Sequence, residues 1–404
     1  MHSQSLQPMR IGVVTETYPP EINGVANTMR QLVTGLAGRG HHVLLVRPRQ
    51  AADGRGRGPR GQFLVPGLPI PGYQGLRFGL PVYWRLRNIW ARLRPHVVYV
   101  ATQGPLGHAA LNAARRVSIP VVTGFHTQFH QYSRHYGLGL LTQPIVNTLK
   151  NFHNRSDATL VPTSALRAQL NEAGFHNVHV FSRGVDTTLF DPARRNDALR
   201  RAWGCGEQDL VALYVGRIAA EKNIHLALAC MEALSARFDN LRCVLVGDGP
   251  ERARLARSHP GCRFVGAKVG EELAAHYASG DLFLFPSLTE TFGNVVTEAM
   301  ASGLLVNAFD YAAAHEHIRH GSNGLLAPCG DDDAFIAGVL EAVERSAQLQ
   351  RMREAARHAA ESLSWGRIIA GLEERLHDVL RQRGAEGVER RVDAVGHAAS
   401  GNGA

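Results

Sequence analysis

The strongest constraint on this chain is a rhythm that runs through it twice. Short apolar runs alternate with stretches of helical period. In the first pass the runs are Ile11–Thr15, His42–Val46, Val97–Val100, Val121–Gly124 and Ala158–Pro162. Helical stretches stand between them at Val25–Ala37, Pro81–Leu93, Leu106–Arg116 and Leu141–Arg155, and a further helix is opened by Thr163 and Ser164. The second pass has runs at Leu210–Val215, Cys243–Val246, Arg263–Val265, Leu282–Phe285 and Leu304–Ala308. Strand–helix alternation implies βαβ units and parallel sheets. The turn-rich segment Phe181–Phe190 separates the passes. This predicts an α/β protein of two lobes with a cleft between them. In such sheets, ligands sit beyond the carboxyl ends of the strands, so chemistry is sought in the loops that follow them.

Composition agrees with two globular cores. The chain has 404 residues, 45% of them hydrophobic and 20% charged, too long for one ordinary core. The five cysteines (205, 230, 243, 262, 329) are dispersed and form no CxxC pair. That argues against a disulfide scaffold or zinc knuckle and favours a reduced, cytoplasmic compartment. No apolar run approaches the ~18 residues of a membrane span. Residues 1–8 lack the apolar core of a signal peptide. From Gly384 onward the chain is small, polar and aperiodic, which predicts a frayed tail.

The net charge of +9 is unevenly placed. Between Ile22 and Arg94 stand twelve arginines and a single acid, Asp53. Such a field attracts phosphate, whether on nucleic acid, lipid or nucleotide. The stretch Pro81–Arg94 carries an apolar stripe of Val82, Leu86, Ile89, Trp90 and Leu93. Two readings stand: a crossover helix packed on its sheet, which the stripe favours, or a helix resting on an anionic bilayer.

Four loops carry candidate chemistry. Gly216-Arg217-Ile218-Ala219-Ala220-Glu221-Lys222-Asn223 follows a strand. Its Arg and Lys suit a phosphate near a helix start, although a solvated turn explains two charges equally well. Glu290-Thr291-Phe292-Gly293-Asn294-Val295-Val296-Thr297-Glu298 follows the apolar run Leu282–Phe285. A helix beginning near Gly293 leaves Glu290 in the loop and puts Glu298 in the second turn. The amides of Phe292, Gly293 and Asn294 then face a phosphate, and a carboxylate suits vicinal hydroxyls. The third loop, Gly124-Phe125-His126-Thr127-Gln128-Phe129-His130, offers His126 as a reaction-centre candidate or as an interior histidine. His126 and His130 are not a zinc-protease pair, because Thr127 stands where HExxH needs Glu. The fourth, Glu16 to Ala26, has Gly24 at a helix start, which permits close approach of a ligand. A decoy, Val246-Gly247-Asp248-Gly249-Pro250-Glu251-Arg252, fails the dinucleotide fingerprint at Arg252 and Pro250.

Together these loops resemble the GT-B glycosyltransferases of family 4, a retaining class, over roughly Met9 to Arg381. The resemblance implies two Rossmann-like βαβ domains facing a central cleft: an acceptor-side domain at 9–184 and a nucleotide-sugar domain at 185–362. A helix at 363–382 would cross back to the first domain, with a tail at 383–404. It implies that Arg217 and Lys222 hold the donor diphosphate and that Glu298 binds the ribose. Glu290 and the backbone at Phe292, Gly293, Asn294 and Val295 would hold the donor sugar and its β-phosphate. Gly24 would sit beside the diphosphate and His126 at the sugar. The segment from Phe125 to Gly139 is similar to a subgroup acting on lipid-linked acceptors, which includes mannosyl-, glucosyl- and sulfoquinovosyl-lipid synthases. In one departure, Asp310-Tyr311-Ala312-Ala313-Ala314-His315-Glu316 stands where many relatives carry a Gly-Gly pair before a Glu.

The resulting expectation is a metal-independent retaining transferase. It would use a GDP- or UDP-hexose and a lipid or lipid-linked acceptor, with peripheral contact to an anionic membrane and no nucleic acid. A non-catalytic polyanion or nucleic-acid binder would explain the basic charge but not the ordered loops of the second half. A sugar-nucleotide epimerase of related fold is the other alternative.

Overall fold

The computed structural model of the chain describes residues 7–21, 24–54, 59–69, 77–126, 142–290 and 292–400. It divides into two compact units, Met1–Ser182 with Ile368–Ala404, and Arg183–Arg367.

The first unit is built on a sheet of β1 (Arg10–Val14), β2 (His42–Pro48), β3 (Gln62–Val65), β6 (Val97–Val100), β7 (Val121–Gly124), β8 (Ala158–Val161) and β9 (Val178–Val180), in the order β3-β2-β1-β6-β7-β8-β9. Every neighbouring pair is parallel. β4 (Gly67–Pro69) and β5 (Arg77–Gly79) form a separate antiparallel pair. The central strands β6, β7 and β8 are buried along their whole length. This is why they read as unbroken apolar runs without alternation.

The helix after β5 spans Tyr83–Leu93, so Pro81 stands two residues before it rather than in its first turn. Leu86 and Trp90 are fully buried and join the core formed with Val14, Val98 and Val100. Most of the apolar stripe therefore faces the sheet, as a crossover helix requires. Burying each such side chain contributes about 2 kcal/mol. Trp84 and Leu93 remain exposed.

The second unit has β10 (Leu210–Val215), β11 (Leu241–Val246), β12 (Cys262–Gly266), β13 (Leu282–Phe285), β14 (Leu305–Phe309) and β15 (Leu325–Ala327), in the order β12-β11-β10-β13-β14-β15. All pairs are again parallel. At its amino edge, buried Asp281 accepts the Val211 amide at 2.9 Å. It also pairs with Arg195, Arg200 and Arg353 at 3.1–3.2 Å.

In both sheets the strand order reverses at one point, between β1 and β6 and between β10 and β13. The crevice outside the carboxyl ends at such a switch point is where open α/β sheets bind ligands.

The last helix runs from Trp365 to Ser400. The helix continues past residue 382, where the sequence reading places the start of a tail. Earlier in this helix, Ile369, Leu372, Leu376 and Val379 are buried at helical spacing. Within the first unit, Arg39 donates to the buried Glu373 at 2.6 Å. All five cysteines are free thiols, and among the described residues no helix is long and apolar enough to cross a membrane.

Candidate active site

The loop after β10 begins the site. Gly216 N–H donates to Val246 O at 3.0 Å and Ile218 N–H to Asp248 O at 2.9 Å, which zips this loop to the one after β11. The two glycines of the rejected fingerprint explain how the loops approach so closely. A Cβ on Gly247, whose φ is +144°, would lie 1.8 Å from Gly216 O, and one on Gly249 would lie 2.2 Å from Ile218 O. They serve loop crossing, not a dinucleotide.

Lys222 closes a short 3-10 turn, Ala220–Lys222, and Asn223 follows in the left-handed region at φ 52°. This turn swings the lysine toward the loop after β13. Its ammonium donates to Thr289 O at 2.9 Å and to Glu290 Oε1 at 2.6 Å. Glu290 Oε1 also accepts from Ser287 Oγ at 3.0 Å. Tyr311 OH donates to Glu290 O at 3.1 Å, and Thr289 Oγ1 to Glu221 O at 2.8 Å. The two charged motifs, 68 residues apart, therefore meet at the strand-order switch. Arg217 is more open, with its side chain 63% exposed, and pairs with Glu221 at 2.8 Å.

Gly293 caps the next helix in the left-handed region (φ 91°), and the helix spans Asn294–Ala301. Glu290 stays in the loop and Glu298 lies in the second turn, as the sequence predicts. Phe292 is fully buried, with the Arg183 guanidinium 5.7 Å from its ring centre, so its side chain belongs to the core and only its backbone is left for a ligand. Val295 is partly buried. Asn294 Oδ1 is buried and has no hydrogen-bond partner among the described residues. Glu298 Oε2 accepts from Tyr277 OH at 3.1 Å. Burial pushes the Glu298 carboxyl up to about 7, against the opposing pull of that hydrogen bond.

Gly24 and His126 belong to the first unit, at the carboxyl edge of its sheet. Gly24 is exposed and opens the helix Gly24–Gly38. Ile22 and Asn23 beside it, and Thr127 to Gly139 after His126, lie outside the described residues, and so does Thr291. His126 Nε2 is 3.1 Å from Tyr99 OH. A Cβ on Gly124 would come within 2.4 Å of that hydroxyl, so the glycine makes room for the Tyr–His contact. Glu16, in the loop after β1, accepts the Leu106 amide at 3.0 Å. Burial raises its carboxyl to about 7.

Sequence reasoning missed Tyr99, Ser287, Tyr277 and Tyr311 as partners of site residues. Tyr99, Tyr277 and Tyr311 lie far from their partners in sequence and are brought in by packing, whereas Ser287 is local, three residues before Glu290. Among the described residues no cluster of three or more His, Cys, Asp or Glu is placed to hold a metal ion.

Residues 22–189 match the family described as Glycosyltransferase Family 4, and residues 195–359 match Glycosyl transferases group 1. The chain is 34% identical to a GDP-mannose-dependent alpha-mannosyltransferase of Mycobacterium tuberculosis, over 88% of this chain and 93% of that one. It is 27% identical to an alpha-monoglucosyldiacylglycerol synthase of Streptococcus pneumoniae, over 74% and 71%. An Anabaena protein solved in complex with UDP superposes with a TM-score of 0.72 at 19% identity, over 92% and 100%. Two parallel Rossmann-like sheets of this kind are the GT-B fold, and the chain belongs to the family 4 glycosyltransferases.

Proposed function

We propose that the chain transfers a hexose, mannose or glucose, from a nucleotide-diphosphate sugar to a lipid or lipid-linked acceptor. The bond formed is α-glycosidic, with retention. The observation that carries this reading is the Lys222–Glu290 contact across the strand-order switch, which joins a phosphate-type cation to a sugar-type carboxylate at the ligand edge of the sheet. The names of the two relatives, one GDP-mannose-dependent and one making a glucosyldiacylglycerol, support the donor and acceptor classes.

In this reading Arg217 and Lys222 hold the diphosphate, and Glu298 takes the ribose hydroxyls. Glu290 and the backbone from Phe292 to Val295 hold the sugar and β-phosphate, and Asn294 Oδ1 accepts from a sugar hydroxyl. Gly24 lies by the diphosphate and His126 by the sugar. As the glycosidic bond breaks, negative charge grows on the β-phosphate oxygen. Lys222, Arg217 and the start of the helix at Asn294 offset it, so no metal ion is required. The acceptor hydroxyl attacks from the face the phosphate leaves, and a phosphate oxygen takes its proton. The exposed arginines near Trp84 bring the enzyme to the anionic lipid of the cytoplasmic face.

A thermal-shift panel of GDP-mannose, UDP-glucose and related donors tests the donor; a ligand at 100 times its dissociation constant adds about 2.7 kcal/mol. The donor that shifts the protein should then label a diacylglycerol-type acceptor with EDTA present. Failure of every nucleotide sugar to shift the protein would sink the reading. Conversion of donor without acceptor would mark an epimerase instead.

A further inference from the structure

We propose that Tyr277 is the positioning residue for Glu298: its hydroxyl occupies one carboxylate oxygen and presents the other to the donor ribose. The inference rests on the reading of Glu298 as the ribose acceptor and adds to it a residue that touches no substrate.

Tyr277 is near the end of the helix Gly270–Ala278 and is fully buried. Its ring meets Phe190 edge-on, centroids 5.6 Å apart, and Phe283 at 5.8 Å. These contacts fix the ring, so the hydroxyl has one direction to point. It donates to Glu298 Oε2 at 3.1 Å, and no other described residue bonds to either oxygen of Glu298. Oε1 is therefore left for a ligand. A carboxylate clamped at one oxygen loses less freedom on binding a diol than a free one, which is how preorganisation raises affinity.

The same contact sets the charge of the site. Burial favours the neutral acid at Glu298, and the hydrogen bond from Tyr277 favours the anion. Tyr277 faces Glu298 directly, and buried Tyr214, whose hydroxyl donates to Arg217 O at 3.0 Å, stands behind Tyr277. Both phenols stay protonated, since burial moves them upward, and among the described residues no lysine, arginine or histidine pairs with Glu298. Glu298 therefore passes from acid to anion near neutral pH, and the anion is the stronger acceptor for the ribose hydroxyls.

The experiment is a series of donor KM measurements from pH 5.5 to 8.5 on the wild type, Glu298→Gln and Tyr277→Phe. In the wild type, KM should fall as pH rises through about 7, and Glu298→Gln should abolish that step. Tyr277→Phe should raise KM at pH 7 roughly threefold to tenfold and move the step to higher pH by about half to one unit, with kcat changing less than KM. Should Tyr277→Phe fail to fold, 3-fluorotyrosine placed at position 277, a stronger donor of nearly the same shape, should move the step to lower pH. If Glu298→Gln leaves donor KM unchanged, the ribose reading fails. If Glu298→Gln raises KM while the Tyr277 variants leave both KM and the step in place, the ribose reading stands and the positioning role of Tyr277 is overturned.

Discussion

Lys222 holds two acceptors at once, Thr289 O and Glu290 Oε1. Its removal should therefore do more than subtract one phosphate contact. Among the described residues, Lys222→Ala leaves the Glu290 carboxylate with the Ser287 hydroxyl alone, and the loop after β13 keeps the Thr289–Glu221 bond to the loop after β10 but loses both bonds made by the ammonium. Removing one preorganised donor at a site of developing charge costs about 3 kcal/mol, roughly a hundredfold or more in kcat. Lys222→Ala should lose at least that much, and adding Glu290→Gln should cost little more, because the two act as a unit. A steady-state assay on the three variants decides it, and multiplying losses would contradict the idea of one unit. Glu16 gives a stability test. Its folded carboxyl titrates near 7 against 4.5 for the free group. The folded state thus binds the proton more tightly, and stability present below 4.5 is lost as pH rises through 7. After allowance for its partial exposure, the loss is roughly 2 kcal/mol. Glu16→Gln keeps an acceptor for the Leu106 amide and does not titrate. Between pH 5 and 7.5 the wild type should lose more Tm than this variant; parallel slopes would refute the assignment.

At the level of elements, the sequence made some parts plain and hid others for physical reasons. Strands buried on both faces announce themselves as apolar runs, so β6, β7, β10, β11 and β13 were legible. The loops that follow them can be placed on the ligand edge from the sequence alone. Short peripheral strands such as β9 and β15, three residues each, bury too little to leave a signal. Distant partners, Tyr99 with His126 at neighbouring strand ends or Tyr277 with Glu298 on the helices before and after β13, are hidden because packing, not spacing, brings them together. The rejected Gly247-x-Gly249 motif illustrates the limit: its failure as a fingerprint could be read, but its use in letting two loops cross could not. That use predicts the outcome of Gly247→Ala. The added methyl meets Gly216 O, a backbone atom that cannot swing away, at a φ that L-residues avoid. Destabilisation of 2 kcal/mol or more is expected, together with weaker donor binding, since the loop carrying Arg217 must shift. Thermal unfolding and donor titration of this variant test both. An unchanged Tm would show that the loops accommodate the methyl by parting.

Across the whole molecule the charge of +9 has a structural counterpart in the helix Tyr83–Leu93. The sheet takes Leu86 and Trp90, so this helix cannot lay a full apolar face on a bilayer. Its outer side instead offers Trp84, 67% exposed, with the Arg87 guanidinium 5.5 Å from its ring centre, and the exposed Arg85, Arg92 and Arg94. An indole with flanking guanidinium groups suits the headgroup layer, where an amphipathic ring and basic side chains both find partners. Binding should then be electrostatic in the main, at about 1 kcal/mol per basic residue near the surface, with a smaller share from the indole. Reversing Arg85, Arg92 and Arg94 to glutamate should release the protein from vesicles containing phosphatidylglycerol, by a hundredfold or more at low salt on that same scale. Trp84→Ala should weaken binding more modestly. Raising the salt to 0.5 M should do to the wild type much of what charge reversal does at low salt, because screening shortens the reach of the arginines. Flotation on vesicles with and without the anionic lipid, read beside turnover of a water-soluble acceptor analogue, separates docking from catalysis. Charge reversal should abolish the first and spare the second. Equal flotation on neutral vesicles, or binding indifferent to salt, would mean that the arginines of this helix are a solvated surface and that the acceptor reaches the enzyme by another route.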